Sequence, residues 1–226
     1  MKNIPIVILN RDRYHPLVDQ VRVLKSKGYN NIVIIDNQST YEPLLSWYKN
    51  CDVDVFYNTL TENSNSAFNS LISIGHQKFV DITKDWYVFN DSDIVPLETV
   101  PDNFVEDLVY YAKKYNKTKV GMSIKIDDID LNYPLNKWVH EYESTYWTNP
   151  IIDKDVELYP HPIDTTFAVH SPNTRPIWSN DTLRAGIPYV VKHWPFYYDP
   201  NNLPEDEEYY LSRMNKQSSN WSSKIK

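Results

Sequence analysis

The chain has 226 residues, 41% of them apolar and 14% aromatic, with a formal charge of -7 and only four glycines. Those glycines (Gly28, Gly75, Gly121, Gly186) stand far apart, which excludes a P-loop NTPase and a standard NAD-binding Rossmann protein, since both cluster glycines around phosphate. The acidic balance gives no basic field for nucleic acid, and the single Cys51 excludes an intrachain disulfide and a Cys-rich zinc site.

The first hundred residues alternate between short apolar runs and helical patterns. Residues 4–9 form a buried-strand run that meets Asn10-Arg11-Asp12-Arg13. Residues 15–27 place Leu17, Val21 and Leu24 at helical spacing before Gly28. Ile32-Val33-Ile34-Ile35 is a second strand ending at Asp36, and residues 41–49 read as a short helix. Val53, Val55 and Phe56 mark a third strand, and residues 66–75 carry Phe68, Leu71 and Ile72 on one helical face. Residues 86–89 are a fourth strand running into Asn90-Asp91-Ser92-Asp93. This rhythm predicts a mostly parallel central sheet flanked by helices, an α/β fold. The second half predicts a helix at 104–115, a strand at 120–126, an aromatic helix at 138–147, strands at 165–169 and 189–191, and a charged helix at 205–214. No linker or repeat divides the chain, so one domain is expected.

No segment approaches the roughly 18 consecutive apolar residues of a membrane span. The N-terminal run is too short for a signal sequence. The expected location is cytoplasmic or peripheral at a membrane.

Ligands of such sheets sit beyond the carboxyl ends of the strands, so the residues just after each strand carry the chemistry. Asp91 and Asp93, two apart on a turn between apolar segments, can both reach one Mg²⁺ or Mn²⁺ ion. The same spacing recurs at Asp52/Asp54, Asp128/Asp130 and Asp153/Asp155, where it reads as solvated turns. Asp36 either accepts hydrogen bonds from a ribose or base, or caps the following helix with Asn37-Gln38-Ser39. Arg11 and Arg13 either meet a phosphate or base edge, or belong to an exposed charged loop. His193 is a possible neutral metal ligand or a structural histidine. Asp164 either serves as general base toward an acceptor hydroxyl or caps a strand entry, with Glu141 and Glu143 as competing bases. Trp138, Tyr142, Tyr146 and Trp147 are either core or a face for sugar rings.

In order, Asn10-Arg11, Asp36-Asn37-x-Ser39, Asn58, Ala67-Phe68-Asn69 and Asp91-Ser92-Asp93 resemble the nucleotide-sugar-dependent glycosyltransferases of the GT-A fold, especially the large inverting family with a D-x-D motif. Looser matches at 121–128, 164–168 and 192–197 resemble a compact bacterial and large-virus subgroup. The resemblance implies a single GT-A (Rossmann-like) domain over 1–226: a nucleotide-sugar-binding half (1–97), an acceptor-side half (98–194) and a polar C-terminal segment (195–226). It implies a UDP- or GDP-linked sugar donor, a glycan, glycoprotein or lipid-linked acceptor, no nucleic acid, and Mn²⁺ or Mg²⁺ as cofactor. Asn10, Arg11, Asp36, Asn37 and Asn58 would line the nucleotide pocket. Asp91 would approach the ribose, Ser92 and Asp93 would belong to the same cofactor-binding set, and Asp91, Asp93 and His193 would hold the metal. Asp164 would be the base, although the family's usual acidic motif is not evident there. Phe68 stands where relatives often carry arginine, and Asn63 where they often carry glycine. A sugar-1-phosphate nucleotidyltransferase and a noncatalytic carbohydrate-binding protein are the alternatives. The first usually opens with a glycine-rich loop, which Asn10-Arg11-Asp12-Arg13 is not.

Overall fold

A computed structural model of the chain describes residues 2–60, 67–164 and 166–214. In chain order the elements are β1 (Ile6–Asn10), α1 (His15–Ser26), β2 (Ile32–Asp36), α2 (Glu42–Tyr48), β3 (Asp54–Tyr57), α3 (Ala67–Ser73), α4 (Gln77–Ile82), β4 (Tyr87–Asp91) and β5 (Ile94–Pro96). There follow α5 (Phe104–Lys114), β6 (Lys119–Ile124), α6 (Pro134–Ser144), β7 (Ile151–Asp153), β8 (Val156–Tyr159), β9 (Ala168–His170), β10 (Thr182–His193) and α7 (Glu205–Arg213).

Every residue of β1 and β2 is buried, as strands covered on both faces require. Their side chains alternate between two cores. Ile6, Ile8, Ile32 and Ile34 pack with Leu17, Leu24, Phe104 and Leu108, whereas Val7, Leu9, Val33 and Ile35 pack with Phe68, Leu71 and Phe79. The result is the expected α/β fold, a central sheet with helices packed on both faces.

The sheet order is β3-β2-β1-β4-β9-β6-β10-β8-β7, with β5 paired to β10. Strands β3, β2, β1 and β4 are mutually parallel, and β6 is parallel to β10. Antiparallel β9 joins these two parallel sets, and the β7–β8 hairpin extends the far edge. The sheet is therefore mixed, with its four mutually parallel neighbouring strands all in the first hundred residues.

Several expected boundaries shift. The strand expected at 189–191 is the end of the much longer β10, whose register breaks between Ala185 and Val190. The strand expected at 165–169 begins only at Ala168, and Thr165 lies outside the described residues. The aromatic helix begins at Pro134, because proline suits the first turn, and ends at Ser144. Strands β5, β7 and β8 and helix α4 were not anticipated from the sequence. No helix among the described residues is long and apolar enough to cross a membrane.

Candidate functional site

Register places the post-strand residues in one row. Asn10 pairs with Asp36, Asp36 with Tyr57, and Leu9 with Asp91. The ladder continues one step past the strands: Asn37 N–H donates to Asn10 O (2.8 Å), Asn58 N–H to Asp36 O (2.8 Å) and Ser92 N–H to Leu9 O (3.0 Å). Four chain segments thus meet at the carboxyl edge of the parallel strands.

At the β1/β2 end, a buried relay runs from Asn10 through Tyr48 to Asp36. Asn10 Nδ2 donates to the Tyr48 hydroxyl (2.9 Å), which donates to Asp36 Oδ2 (3.0 Å). Asp36 Oδ1 accepts the Ser39 N–H (3.0 Å). The turn contact expected of Asp36 is therefore realised, but Asp36 does not cap α2, whose N-cap residue is Tyr41. Burial pushes the Asp36 carboxyl above its ordinary range, and burial together with Asp36 pushes the Tyr48 phenol well up. Asn58 Nδ2 donates to Asn37 Oδ1 (2.8 Å), tying β3's end to β2's. Asp12, in the left-handed region at φ 56, accepts the Thr40 and Tyr41 N–H groups at 2.6 and 3.1 Å and so locks the β1 loop to α2. Arg11 is half-buried beside Asp12, with Nε 4.0 Å from its Oδ2.

The Asp91-Ser92-Asp93 turn links β4 to β5. Gln20, buried on α1, donates to Asp91 O (3.2 Å) and to Ile94 O, and Asn90 Nδ2 also donates to Ile94 O (2.7 Å). Asp91 is half-buried, whereas Ser92 and Asp93 are buried. Antiparallel pairing of β5 with β10 sets His193 opposite Ile94, and Trp194 N–H donates to Asp93 O (2.9 Å). His193 Nε2 consequently lies 3.1 Å from Asp93 Oδ2, the oxygen that also receives Arg13 Nη1. Burial raises the Asp93 carboxyl, but Arg13 and His193 outweigh it and hold the group well below the usual carboxylate range.

Arg13 is not part of an exposed loop; its side chain is 13% exposed. Beyond Asp93, its Nε and Nη2 donate to the two Glu207 oxygens, each at 2.9 Å, and its guanidinium carbon stands 4.0 Å from the Tyr210 ring centre. Helix α7 is thereby part of this corner. Its Asp206 Oδ2 accepts the Tyr14 and His15 N–H groups (2.9 and 2.8 Å) at the start of α1.

Asp93 Oδ2 and His193 Nε2 are the side-chain atoms of this corner that could ligate a divalent cation, and Arg13 now holds that same oxygen. Their 3.1 Å separation is that of a hydrogen bond. Without a cation between them, His193 Nε2 must carry a proton to face that oxygen. Among the described residues no group of three or more His, Cys, Asp or Glu is placed to hold a metal.

Asp164 does not stand at a strand mouth. It is exposed, in the loop before β9, where Lys119 Nζ donates to the Ile163 and Asp164 carbonyls (2.8 and 2.7 Å). Burial lowers the Lys119 ammonium to about 8. The buried carboxylate nearby is Glu143, whose Oε2 accepts from Arg184 Nη1 at 3.1 Å. Burial raises the Glu143 carboxyl against the pull of Arg184, and Asp164 and His193 also act on it. Glu141 is exposed. The aromatic cluster is divided: Trp138 and Trp147 pack against the main core, while Tyr142 is turned outward. Trp138 stacks on Tyr142 (5.4 Å, 12°), Tyr142 meets Tyr146 edge-on (5.3 Å, 88°), and Tyr142 is 43% exposed.

Gln20, Tyr48, Glu207 and Tyr210 were not singled out from sequence. Gln20 left a signal, a polar residue within the apolar stripe Leu17-Val21-Leu24. The others depend on contacts distant in the chain.

No protein-family model and no curated protein sequence matches this chain. Among solved structures it is similar to the crystal structure of S. aureus TarS 1-349, at 12% identity and TM-score 0.34. That match covers 54% of this chain and 36% of the other. The chain thus spans about a third of the solved chain it matches.

Proposed function

We propose that this protein is a metal-dependent glycosyltransferase that moves a sugar from a nucleoside-diphosphate sugar to an acceptor hydroxyl with inversion. The observation that carries this reading is the convergence of Asn10, Asp36, Asn58 and Asp91 on one sheet edge, with the Asp93–His193 pair at its end. The base and ribose would lie along Asn10, Arg11, Asp36, Asn37 and Asn58, where the Asn10–Tyr48–Asp36 relay fixes the carboxylate in place. Asp91 and Ser92 would face the ribose–diphosphate junction, and Asp93 with His193 would hold Mn²⁺ or Mg²⁺. Such a cation supplies Lewis-acid stabilisation of the leaving diphosphate. Asp164 would take the proton of the attacking hydroxyl, with Glu143 as the second carboxylate on that side. In-line displacement by the acceptor from the side opposite the diphosphate inverts the anomeric carbon.

The test is a thermal-shift screen of UDP- and GDP-sugars with and without Mn²⁺, since a ligand that binds the native state raises Tm. The reading expects at least one nucleotide sugar to raise Tm only with the cation, and expects Asp93→Ala to abolish that response. A protein that responds to free sugars but to no nucleotide would be a carbohydrate-binding protein instead.

A further inference from the structure

Trp178 is 59% exposed, and Ile177 beside it is 61% exposed. A large apolar side chain left in water is informative where the backbone fixes it there. Here the backbone is tied on both sides. The Tyr87 hydroxyl donates to Thr174 O (2.9 Å), Arg175 Nη1 to Ser73 Oγ (2.9 Å) and Asn69 Nδ2 to Pro176 O (3.3 Å), which fastens residues 174–176 to β4 and α3. Ser179 then forms an antiparallel bridge with Ile163.

That bridge sets the neighbour of Trp178. One step along the antiparallel register, residue 164 comes opposite residue 178. Their side chains leave on the face away from Ile163 and Ser179. Ile163 is fully buried and packs on β6, where a Cβ added to Gly121 would stand 3.0 Å from its Cδ1. Asp164 and Trp178 therefore share the outer face, and both are exposed. Side chains opposed in this way have Cβ atoms about 5 Å apart. The Asp164 segment is held as firmly as its partner. Thr182 Oγ1, Arg184 Nε and Lys119 Nζ donate to the successive carbonyls of His161, Pro162, Ile163 and Asp164, at 2.6 to 2.8 Å.

A carboxylate and an indole ring fixed side by side suit a sugar. The C–H face of a pyranose is apolar and slightly positive, whereas an aromatic face is apolar and slightly negative. The indole takes that face while the carboxylate accepts a hydrogen bond from a hydroxyl at the sugar's edge. An apolar partner or a membrane interior would instead desolvate Asp164 without a donor, which is costly.

We propose that Trp178 is the acceptor platform: it stacks on an acceptor sugar and presents one of that sugar's hydroxyls to Asp164. The proposal rests on the reading of Asp164 as the base of a glycosyltransferase. It adds that the acceptor is a sugar, and it names the residue that holds it.

The experiment uses the full chain, UDP- and GDP-sugars with Mn²⁺ as donors, and methyl glycosides of glucose, galactose, mannose and N-acetylglucosamine as acceptors. Wild type is expected to glycosylate at least one of them. Trp178→Ala should raise the KM for that acceptor about tenfold and move the donor KM by less than about twofold. Trp178→Phe, which keeps a flat ring, should recover most of the loss, and Trp178→Leu should not. The same methyl glycoside alone should change the tryptophan fluorescence of wild type and leave that of Trp178→Phe unchanged. An unchanged acceptor KM in Trp178→Ala, a leucine variant as good as the phenylalanine one, or a wild type that releases nucleoside diphosphate yet glycosylates none of these sugars overturns the proposal and leaves the glycosyltransferase reading intact. Loss of binding to phosphatidylglycerol vesicles by Trp178→Ala, with acceptor KM unchanged, overturns it in favour of a membrane contact. If a methyl glycoside changes the Trp178 fluorescence but no nucleotide sugar is turned over, the sugar subsite stands and the glycosyltransferase reading fails. If neither occurs, both fail.

Discussion

Replacing Arg184 with methionine isolates one wall of the site. Arg184 and Glu143 pair at 3.1 Å with side chains 5% and 4% exposed. The guanidinium also donates to Pro162 O at 2.8 Å and stands 4.0 Å from the Tyr146 ring centre. Removing one member of a buried pair typically costs about 3–5 kcal/mol, because the other charge is left uncompensated. Here the cost has a ceiling, since Glu143 can take a proton. For a carboxyl with an ordinary pKa of about 4.3, that proton costs about 3.7 kcal/mol at pH 7 and about 1 kcal/mol at pH 5. In the variant the folded-state pKa of Glu143 lies above the unfolded one, so stability falls as pH rises between them. Arg184→Met should therefore lose about 4 kcal/mol at pH 7, roughly 10 °C in Tm, and recover most of the deficit at pH 5. The double variant Glu143→Leu/Arg184→Met, which leaves no buried charge, should be more stable at pH 7 than Arg184→Met alone. Urea unfolding of wild type and variants at both pH values measures these differences. A deficit in Arg184→Met that does not change with pH, or a double variant that costs the sum of the singles, refutes the reasoning.

Three other outcomes follow from particular contacts. Gly121→Ala places a Cβ 2.8 Å from Phe167 O and 2.9 Å from Ala168 Cβ, a clash with backbone that should cost about 1–3 kcal/mol by denaturant unfolding; a neutral result contradicts the packing of β6 against β9. Lys119, lowered to about 8, sheds its proton in the folded state before the unfolded chain does, so its contribution to stability should rise with pH from about 8 to 10.5, by up to about 1.4 kcal/mol per pH unit. The difference in unfolding free energy between wild type and Lys119→Met at pH 7.5 and 9.5 tests this, and a flat or falling difference refutes it. Asp206→Ala strips two N–H groups at the start of α1 of their acceptor and should destabilise by about 1–2 kcal/mol, measured by thermal unfolding; a variant as stable as wild type would mean that α7 does not cap α1.

What the sequence made legible was local. The runs at 6–9, 32–35 and 87–89 are apolar on both faces, so each announced a buried strand, and the polar residues after them fell at the carboxyl edge. The β7–β8 hairpin was not readable because its turn uses Lys154 at φ 56 where a glycine or asparagine would have signalled it. Strand β10 was seen only from Tyr189 because Gly186-Ile187-Pro188 reads as a break, and the strand does lose its register there. Within the site, Asp93 and His193 stood out from their neighbours in the chain. Arg13 was named as a phosphate contact or an exposed loop residue, but its pairing with Asp93 and Glu207 was not legible, because those partners lie 80 and 194 residues away. Pairing over such distances leaves no periodicity or spacing to read. The buried Glu143 was named only beside the more conspicuous Asp164, because burial is a property of the assembled fold.

The most direct test of the account is release of nucleoside diphosphate from UDP- and GDP-sugars in the presence of Mn²⁺, comparing wild type with Asp93→Ala. The account predicts cation-dependent release from at least one donor by wild type, faster with a hydroxyl acceptor present, and none by a folded Asp93→Ala. Equal release by both proteins, or no release by wild type from any donor in either class, would contradict it.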